Sequence, residues 1–477
     1  MSSRVIVLEL NELSPTLIDR LIARGELPNF ARLRAQSLEA VTDAAEPALN
    51  LEPWIQWVTV HTGLSYAQHG VFNLDDGPKL TAPRVWDVIS DAGEPVWICG
   101  SMNAAAAGEG LNGWFMPDPW SSGIKPYPER ELSPFFRFVQ TYVQEHDRPD
   151  VPLSKLDHAR FVAFMIANGL SARTVRDTIR QLIGEVGRKG SRWRRAAILD
   201  RLQWDLFRAR YRRLQPKFAT FFANSTAHFQ HYHWREMEPG LFTVQPSPAD
   251  RDAYADAIPF GYRRMDAIVG EALQLAGPDT SIVLCTALSQ QPLLRYEGQG
   301  GKQVFKPRDP AALIRFAGVD DPYRYAPVMA EEFHLRFDSA PAAERAEARL
   351  TGLRLDSGET VIKTRRNGTE VFVGCTVTAA PPADAEVISL TNQTTRFHGL
   401  YAGLEGLKSG GHHPDGVLWI RTPQGVRRTV RRKVSLTELA PTFLALCDLP
   451  PSRAFAARAM PEVVDALGGT DYVEKVA

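Results

Sequence analysis

Excess charge of either sign is the first thing this sequence lacks: 55 basic and 55 acidic side chains cancel over 477 residues. A balanced chain sets up no global field for nucleic acid, so any anion-binding region has to be local. Cysteine is scarce too. Cys99, Cys285, Cys375 and Cys447 stand far apart and form no CxxC pair. That excludes a zinc ribbon or a disulfide framework and suits a reducing compartment. No apolar run approaches the roughly 20 residues that span a bilayer. The opening MSSRVIVLELNEL has one arginine and an apolar stretch broken by acids, so it reads as a first core strand rather than a signal peptide. Together these absences lead to the expectation of a cytoplasmic protein. No GxGxxG, Walker A loop or G-x-S-x-G elbow stands at a strand end, which leaves a nucleotide cofactor and a lipase-type triad unsupported.

What is present is ordinary core-forming composition, 44% apolar and 23% charged, in a chain long enough for a large domain with insertions. Strand-like and helix-like stretches alternate from end to end. Val5–Leu10 reads as a strand, and SPTLIDRLIARGELPNFARLRAQS follows with apolar residues at helical spacing. Ser14 and Pro15 suit a helix start, while Gly25 and Pro28 divide the stretch into two helical pieces. EPVWICG (94–100) starts a second strand, which runs into the alanine- and glycine-rich AAAAGEG. SIVLCTAL (281–288) and DGVLWIRTP (415–423) are further strands, and SLTELAPTFLALCDLP (435–450) is a helix begun by Ser435. Such alternation implies an α/β fold with a mostly parallel sheet. Residues 130–215 are mainly helical and polar, as an inserted cap would be. Residues 305–400 alternate more like strands, as a smaller mixed insertion. The core is then 1–129, 216–304 and 401–477.

Five patches concentrate polar and imidazole groups near strand ends: ELNEL (9–13), LNLEPWIQWVTVHTG (49–63) with His69, NSTAHFQHYHWRE (224–236), TALSQQP (286–292) and SGGHHPDG (409–416). In a parallel α/β fold the carboxyl ends of strands share one crevice, where imidazole and carboxylate groups can hold a divalent ion and position water. Within the patches, His228 and His231 would share a helix face and His233 would not; ordinary packing histidines are the other reading. His412 and His413 point opposite ways in an extended stretch, so one of them enters a site. Glu9 and Asn11 share a side of the first strand, and Glu12 is placed to cap or neutralise the next helix. The arginine-rich segment 188–217 reads either as a cap helix with a solvated basic face or as a surface for anionic lipid or phosphate.

The order of these patches resembles the alkaline phosphatase superfamily, in particular its type I phosphodiesterase/nucleotide pyrophosphatase branch. VIVLELNELSPTLIDRLIARGELPNFARL resembles the family's first strand, metal-binding turn and helix. EPALNLEPWIQWVTVHTGLSYAQHGV resembles the nucleophile segment with its TG and HG. STAHFQHYHW is similar to an Asp-x-x-x-His metal segment, and GGHHPDGVLWIRTP with APTFLALCDLP to the C-terminal metal histidine and helix. The resemblance implies a three-layer α/β/α alkaline-phosphatase-like fold. It places the first metal-binding Asp on Asn11, the nucleophile on Asn50, Leu51 or Glu52, the Asp of Asp-x-x-x-His on Ala227, its His on His231, the Asp-His pair on Gln290 and Gln291, and the last metal histidine on His412.

Most anionic ligands of the resembled site are therefore replaced, and an ordinary two-metal phosphatase is not expected. The expected catalytic residues are Glu52 as carboxylate base or nucleophile, with His231 and His412 as ligands or acid/base groups. A ligand set of His231, His412 and Glu12 would hold one divalent ion, zinc or manganese; a metal-free pocket is the other expectation. Asn11, Asn50, Trp54, Gln56, His61, His69, His228, Gln290, Gln291 and His413 are the substrate-binding candidates. The expected activity is that of a divergent hydrolase or transferase on a phosphorylated, glycan-linked or lipid-linked substrate, with surface polysaccharide implied by the resemblance. A non-catalytic phosphatase-like protein that binds glycan or phosphate, or serves in assembly, is the alternative. No nucleic acid and no transmembrane segment are expected; peripheral contact at the inner membrane face would run through 188–217.

Overall fold

A computed structural model describes residues 3–47, 50–74, 76–105, 110–121, 123–144, 153–187, 189–328 and 331–468. The chain divides into two compact units. The first comprises Met1–Met237, Pro248–Gln291 and Gly411–Ala477, and the second Glu238–Ser247 with Pro292–Gly410.

The first unit is built on an eight-stranded sheet. Its strands are β1 (Arg4–Leu10), β2 (Leu38–Asp43), β3 (Val96–Cys99), β4 (Gly113–Met116), β5 (Phe218–Ala223), β6 (Thr280–Cys285), Asp415–Arg421 and Arg428–Ser435. Their spatial order is Arg428–Ser435, β2, Asp415–Arg421, β6, β1, β5, β3, β4. β1 pairs in parallel with both β5 and β6, as β3 does with β4 and β5. Only Asp415–Arg421 runs against its neighbours β2 and β6. β1, β5 and β6 are buried almost along their whole lengths. Strands buried on both faces need helices on both sides, which is why they read as continuous apolar runs instead of alternating ones.

Helices α1 (Pro15–Ala23) and α2 (Pro28–Arg34) follow β1, separated as Gly25 and Pro28 require. α3 (Pro53–Thr62), the short α4 (Tyr66–His69) and α5 (Val85–Asp91) follow β2. α3 and α5 pack with the helix Leu439–Leu446. That helix is preceded by a 3₁₀ turn, Leu436–Glu438, which Ser435 caps with Glu438 in a capping box. Four helices then fill residues 129–214: α6 (Glu129–Gln144), α7 (Lys155–Ala167), α8 (Ala172–Gly187) and α9 (Arg195–Leu214). After β5 come α10 (Ser225–Met237), α11 (Pro248–Tyr254) and α12 (Ala257–Leu275), with α12 packed on α2, α9 and α10. Residues 106–109 of the alanine-rich run and Arg188 of the basic segment lie outside the described residues.

Much of the apolar content of the basic segment is turned inward. Trp204, Leu206, Phe207 and Tyr211 of α9 are buried, and four of its arginines are engaged with acids: Arg195 with Glu185, Arg201 with Glu271, Arg208 with Asp205 and Arg210 with Glu131. The buried apolar side chains of α9 belong to the core of the first unit. Among the described residues no helix is long and apolar enough to cross a membrane.

The second unit has a four-stranded antiparallel sheet in the order Ile362–Asn367, Glu370–Cys375, Phe333–Phe337, Tyr323–Pro327. Helix Ala340–Thr351 packs on it, and Leu313, Leu335, Leu350 and Val371 lie in its own core. This unit is wider than the 305–400 stretch that stands out in the sequence, because the chain enters it at Pro292 and leaves it at Gly410.

Candidate active site

Parallel β1, β5 and β6 end along one edge of the sheet, and the antiparallel strand Asp415–Arg421 begins there. Four segments therefore converge in the first unit: the turn after β1, helix α10 after β5, residues Ser289–Gln291 of the strand β7 (Ser289–Pro292) after β6, and the residues just before Asp415. A short ribbon of β7 with Gly410–His413 brings Gln290 and His412 to this edge.

Glu12 sits at the centre. Its backbone is left-handed, with φ 58°, so the chain turns sharply after β1 instead of running on toward α1. The expectation that Glu12 caps the next helix is corrected: the turn sends its carboxylate into the site, where the residue is 2% exposed. Two neighbours hold the turn. Gln230 donates to the Glu12 carbonyl at 2.8 Å, and the Ser14 N–H donates to the Tyr262 hydroxyl, which itself donates to Gln230 at 2.6 Å.

Around the carboxylate the groups are tightly set. Oε1 accepts from Asn11 Nδ2 at 2.9 Å and Oε2 from Gln290 Nε2 at 2.6 Å. His231 Nε2 and His412 Nε2 each lie 3.3 Å from Oε2, with the two rings 5.2 Å apart. Burial by itself would raise the Glu12 carboxyl, but the His412 and His231 imidazoles hold it well below the usual carboxylate range. His412 Nδ1 stands 2.7 Å from the Leu51 carbonyl and 3.5 Å from Glu52 Oε2. A carbonyl only accepts, so Nδ1 carries the hydrogen. The Nε2 lone pair would then repel the Glu12 carboxylate unless a proton or a cation lies between them.

The donor set fits a cation. One carboxylate oxygen and two imidazole nitrogens lie within 4.8 Å of one another. Ligands about 2.1 Å from a tetrahedral zinc are about 3.4 Å apart, close to the separations seen from Glu12. A histidine that gives its other N–H to a backbone carbonyl is the usual outer support of such a ligand. Gln290 Nε2 also donates to the Ala227 carbonyl at 3.0 Å, while its buried Oε1 has no hydrogen-bond partner among the described residues.

Glu52 is the N-cap residue of α3, and its carbonyl receives the Ile55 and Gln56 N–H groups. Asn11, where the resemblance expects a metal-binding Asp, is saturated by protein. Nδ2 donates to Glu12 and to Asn224 Oδ1, and Oδ1 accepts from Trp57 Nε1 at 2.8 Å.

Several other candidates lie outside this cluster. His61 is 2% exposed, bonded at 2.8 Å to Glu9, which also accepts from Ser101, and packed against Trp57 and Trp86. His69 is enclosed between Thr59 and the Val71 N–H. Gln56 is buried and donates to the Asn50 carbonyl, whereas Trp54 donates to the Phe72 carbonyl. His228 is exposed, its ring against Tyr232. α10 is kinked at His233, whose ring stacks on Tyr254. Gln291 is exposed because the strand alternation of β7 turns it away from buried Gln290. His413 accepts from the Asp415 N–H. Asn224, Gln230, Tyr262 and the Leu51 carbonyl are parts of the site not singled out in the sequence. Asn224 and Gln230 fall inside the polar patch after β5, while Tyr262 and a carbonyl oxygen carry no sequence signal.

With this geometry in place, the comparison that decides the family is a match of residues 5–293 to type I phosphodiesterase / nucleotide pyrophosphatase. The chain belongs to this family. As a family member it is similar over 93% of its length to phosphonoacetate hydrolase from Sinorhizobium meliloti 1021 in complex with phosphonoformate, 95% of which is covered, at 14% identity and a TM-score of 0.45. It is also similar to an inactive variant of murine ectonucleotide pyrophosphatase / phosphodiesterase 5 in complex with AMP. There 98% of this chain and 99% of that one are covered, at 10% identity and a TM-score of 0.40. The human protein of that name gives 8% identity, coverage of 97% and 99%, and a TM-score of 0.41. No curated protein matches in sequence. The family is one of phosphodiesterase- and pyrophosphatase-like hydrolases.

Proposed function

We propose that this chain hydrolyses a monoanionic phosphodiester-type bond at a single-ion site held by Glu12, His231 and His412, with Glu52 as general base. The observation that carries this reading is the meeting of the three ligand atoms around Glu12 Oε2, with His412 Nδ1 fixed on the Leu51 carbonyl. A bound divalent ion would supply positive charge to the phosphoryl oxygens and acidity to nearby water. The Glu12 and Glu52 carboxylates together offset the two charges of a dication, so the site suits a phosphodiester monoanion better than a phosphomonoester dianion. α3 starts at Pro53, so the positive end of its dipole lies at Glu52 and favours the same anion. No serine or threonine stands at the Asn50–Glu52 position, so water is the nucleophile. Its oxygen bonds to phosphorus as the bond to the leaving alkoxide breaks, its proton passes to the Glu52 carboxylate, and the alkoxide takes a proton from solvent water, to which Glu52 later returns its own. Asn50 flanks the base in sequence and would bind the phosphoryl or leaving-group side; Gln290 positions Glu12.

The test combines metal analysis with hydrolysis of a nitrophenyl phosphodiester. One zinc or manganese per chain is expected, lost in His231→Ala and His412→Ala. Glu52→Gln should keep the ion while kcat drops about 10²- to 10⁴-fold. An ion retained by the histidine variants, or full activity in Glu52→Gln, would remove these assignments.

A second reading is favoured by the saturation of Asn11 and by the neutral carboxamide of Gln290. On that reading the pocket binds a phosphorylated or glycan-linked molecule without turnover. Absence of metal and of hydrolysis, together with calorimetric binding of such a ligand lost in His412→Ala, would establish it.

A further inference from the structure

Helix α8 is amphipathic the wrong way round for a helix on a water-facing surface. Its inner side is polar and fully engaged. Thr174 donates to Asp205, Asp177 pairs with Arg264, Gln181 donates to Glu185 and to the Ser191 carbonyl, and Glu185 pairs with Arg195. Its outer side carries Val175, Ile179, Leu182, Ile183 and Val186, spaced i, i+4, i+7, i+8 and i+11 along a single stripe. All five are exposed, Ile183 to 68% and Val186 to 89%. α7 continues the apolar area with exposed Leu156, Val162 and Ile166, the last at 68%. Scattered surface aliphatics need no explanation, but a contiguous stripe on two successive helices does.

We infer that the outer face of α7 and α8 seats the chain on an anionic phospholipid surface. Beyond the apolar stripe, the argument rests on charge. Arg176 and Arg180 line the same groove of about 660 Å³ as Ile166, Leu170, Val175 and Ile179. Arg180 pairs with no acid among the described residues, and Arg176 has only its neighbour Asp177, itself held by Arg264. An apolar stripe bordered by arginines is the pattern of a helix lying in a membrane interface, aliphatics among the acyl chains and guanidinium groups at the phosphates. A second copy of the chain is the poorer occupant. A two-fold contact would set Arg176 and Arg180 of one copy against those of the other, with no acid of the stripe to offset them.

This surface is distinct from the hydrolytic site, and its test needs no activity. The full chain is mixed with phosphatidylcholine vesicles, with or without phosphatidylglycerol, and floated. Binding to the mixed vesicles is expected, weakening as salt is raised. Ile179→Glu and Ile183→Glu, both at exposed positions, should each reduce vesicle affinity about tenfold or more, and Arg180→Gln about fivefold on anionic vesicles. Unchanged circular dichroism melting of the variants confirms that the fold is intact, and Arg180→Gln reads the surface without touching the apolar stripe. Failure of the wild-type chain to float with mixed vesicles overturns the inference, as does undiminished flotation of Ile183→Glu. A dimer in sedimentation equilibrium that Ile183→Glu dissociates, with no vesicle binding, would assign the face to a second copy instead.

Discussion

Burial decides what each histidine can do. His412 and His231 keep a nitrogen on the Glu12 carboxylate, whereas His69 is shut into the turn after α4 with both nitrogens used by Thr59 and Val71. Desolvation pushes the His69 imidazole down to about 4. Unfolding returns it to about 6.5, so between these values the unfolded chain binds the extra proton. The contribution of His69 is therefore complete above pH 6.5 and is lost as pH falls toward 4. His233, pushed down to about 3 by burial and by His228, adds a slope of the same sign, and Glu236, raised by burial to about 7, adds the opposite one. Comparing wild type with His69→Asn isolates the first. In urea titrations the variant should lose less stability between pH 6.5 and 4, by roughly 1.4 kcal/mol for each pH unit over which one proton separates the states. At this scale Glu12, Glu52, His231 and His412 were legible as candidates because strand-end position and residue type are both local. It did not separate them from His61 or His228, since periodicity carries no information about which side of a helix the rest of the fold will cover.

At the scale of elements, the TG and HG of the nucleophile-like segment are helix stops. Gly63 and Gly70 end α3 and α4 with φ of 64° and 62°. A Cβ at Gly70 would meet nothing within 4 Å, but one at Gly63 would lie 3.1 Å from the Thr437 carbonyl oxygen. Gly70→Ala should therefore cost only the left-handed backbone penalty, about 1 kcal/mol. Gly63→Ala should cost more, about 2 kcal/mol, because a backbone oxygen must also yield. Urea unfolding of the two variants measures the difference; equal costs would mean that the Thr437 segment gives way. Helix boundaries such as the break between α1 and α2 were legible because glycine and proline act through local backbone sterics. The inversion of α8 was not: its spacing announces an amphipathic helix but leaves open which face turns inward.

For the whole molecule, the ligand set joins the turn after β1, α10 and the chain before Asp415, so an ion bound there binds the folded state far better than the unfolded one. Zinc or manganese at about 100 times its Kd should add about 2.7 kcal/mol. Differential scanning calorimetry should show a rise in Tm on metal addition to metal-free protein, absent in His231→Ala and His412→Ala. A rise that persists in both variants would place the ion elsewhere.

The sequence by itself determined the α/β class, the first strand and the two helices after it, and the helix begun by Ser435, since each depends on composition, period or position along the chain. Only the tertiary structure decided that Glu12 turns inward, that Gln290 and not Gln291 reaches it, and that Leu51 orients His412 across 361 residues of sequence separation. It also decided that the exposed apolar face lies on α7 and α8 rather than on the arginine-rich α9. These outcomes depend on which surfaces meet when parallel strands end at one edge, and contacts of that range leave no periodic trace in the chain.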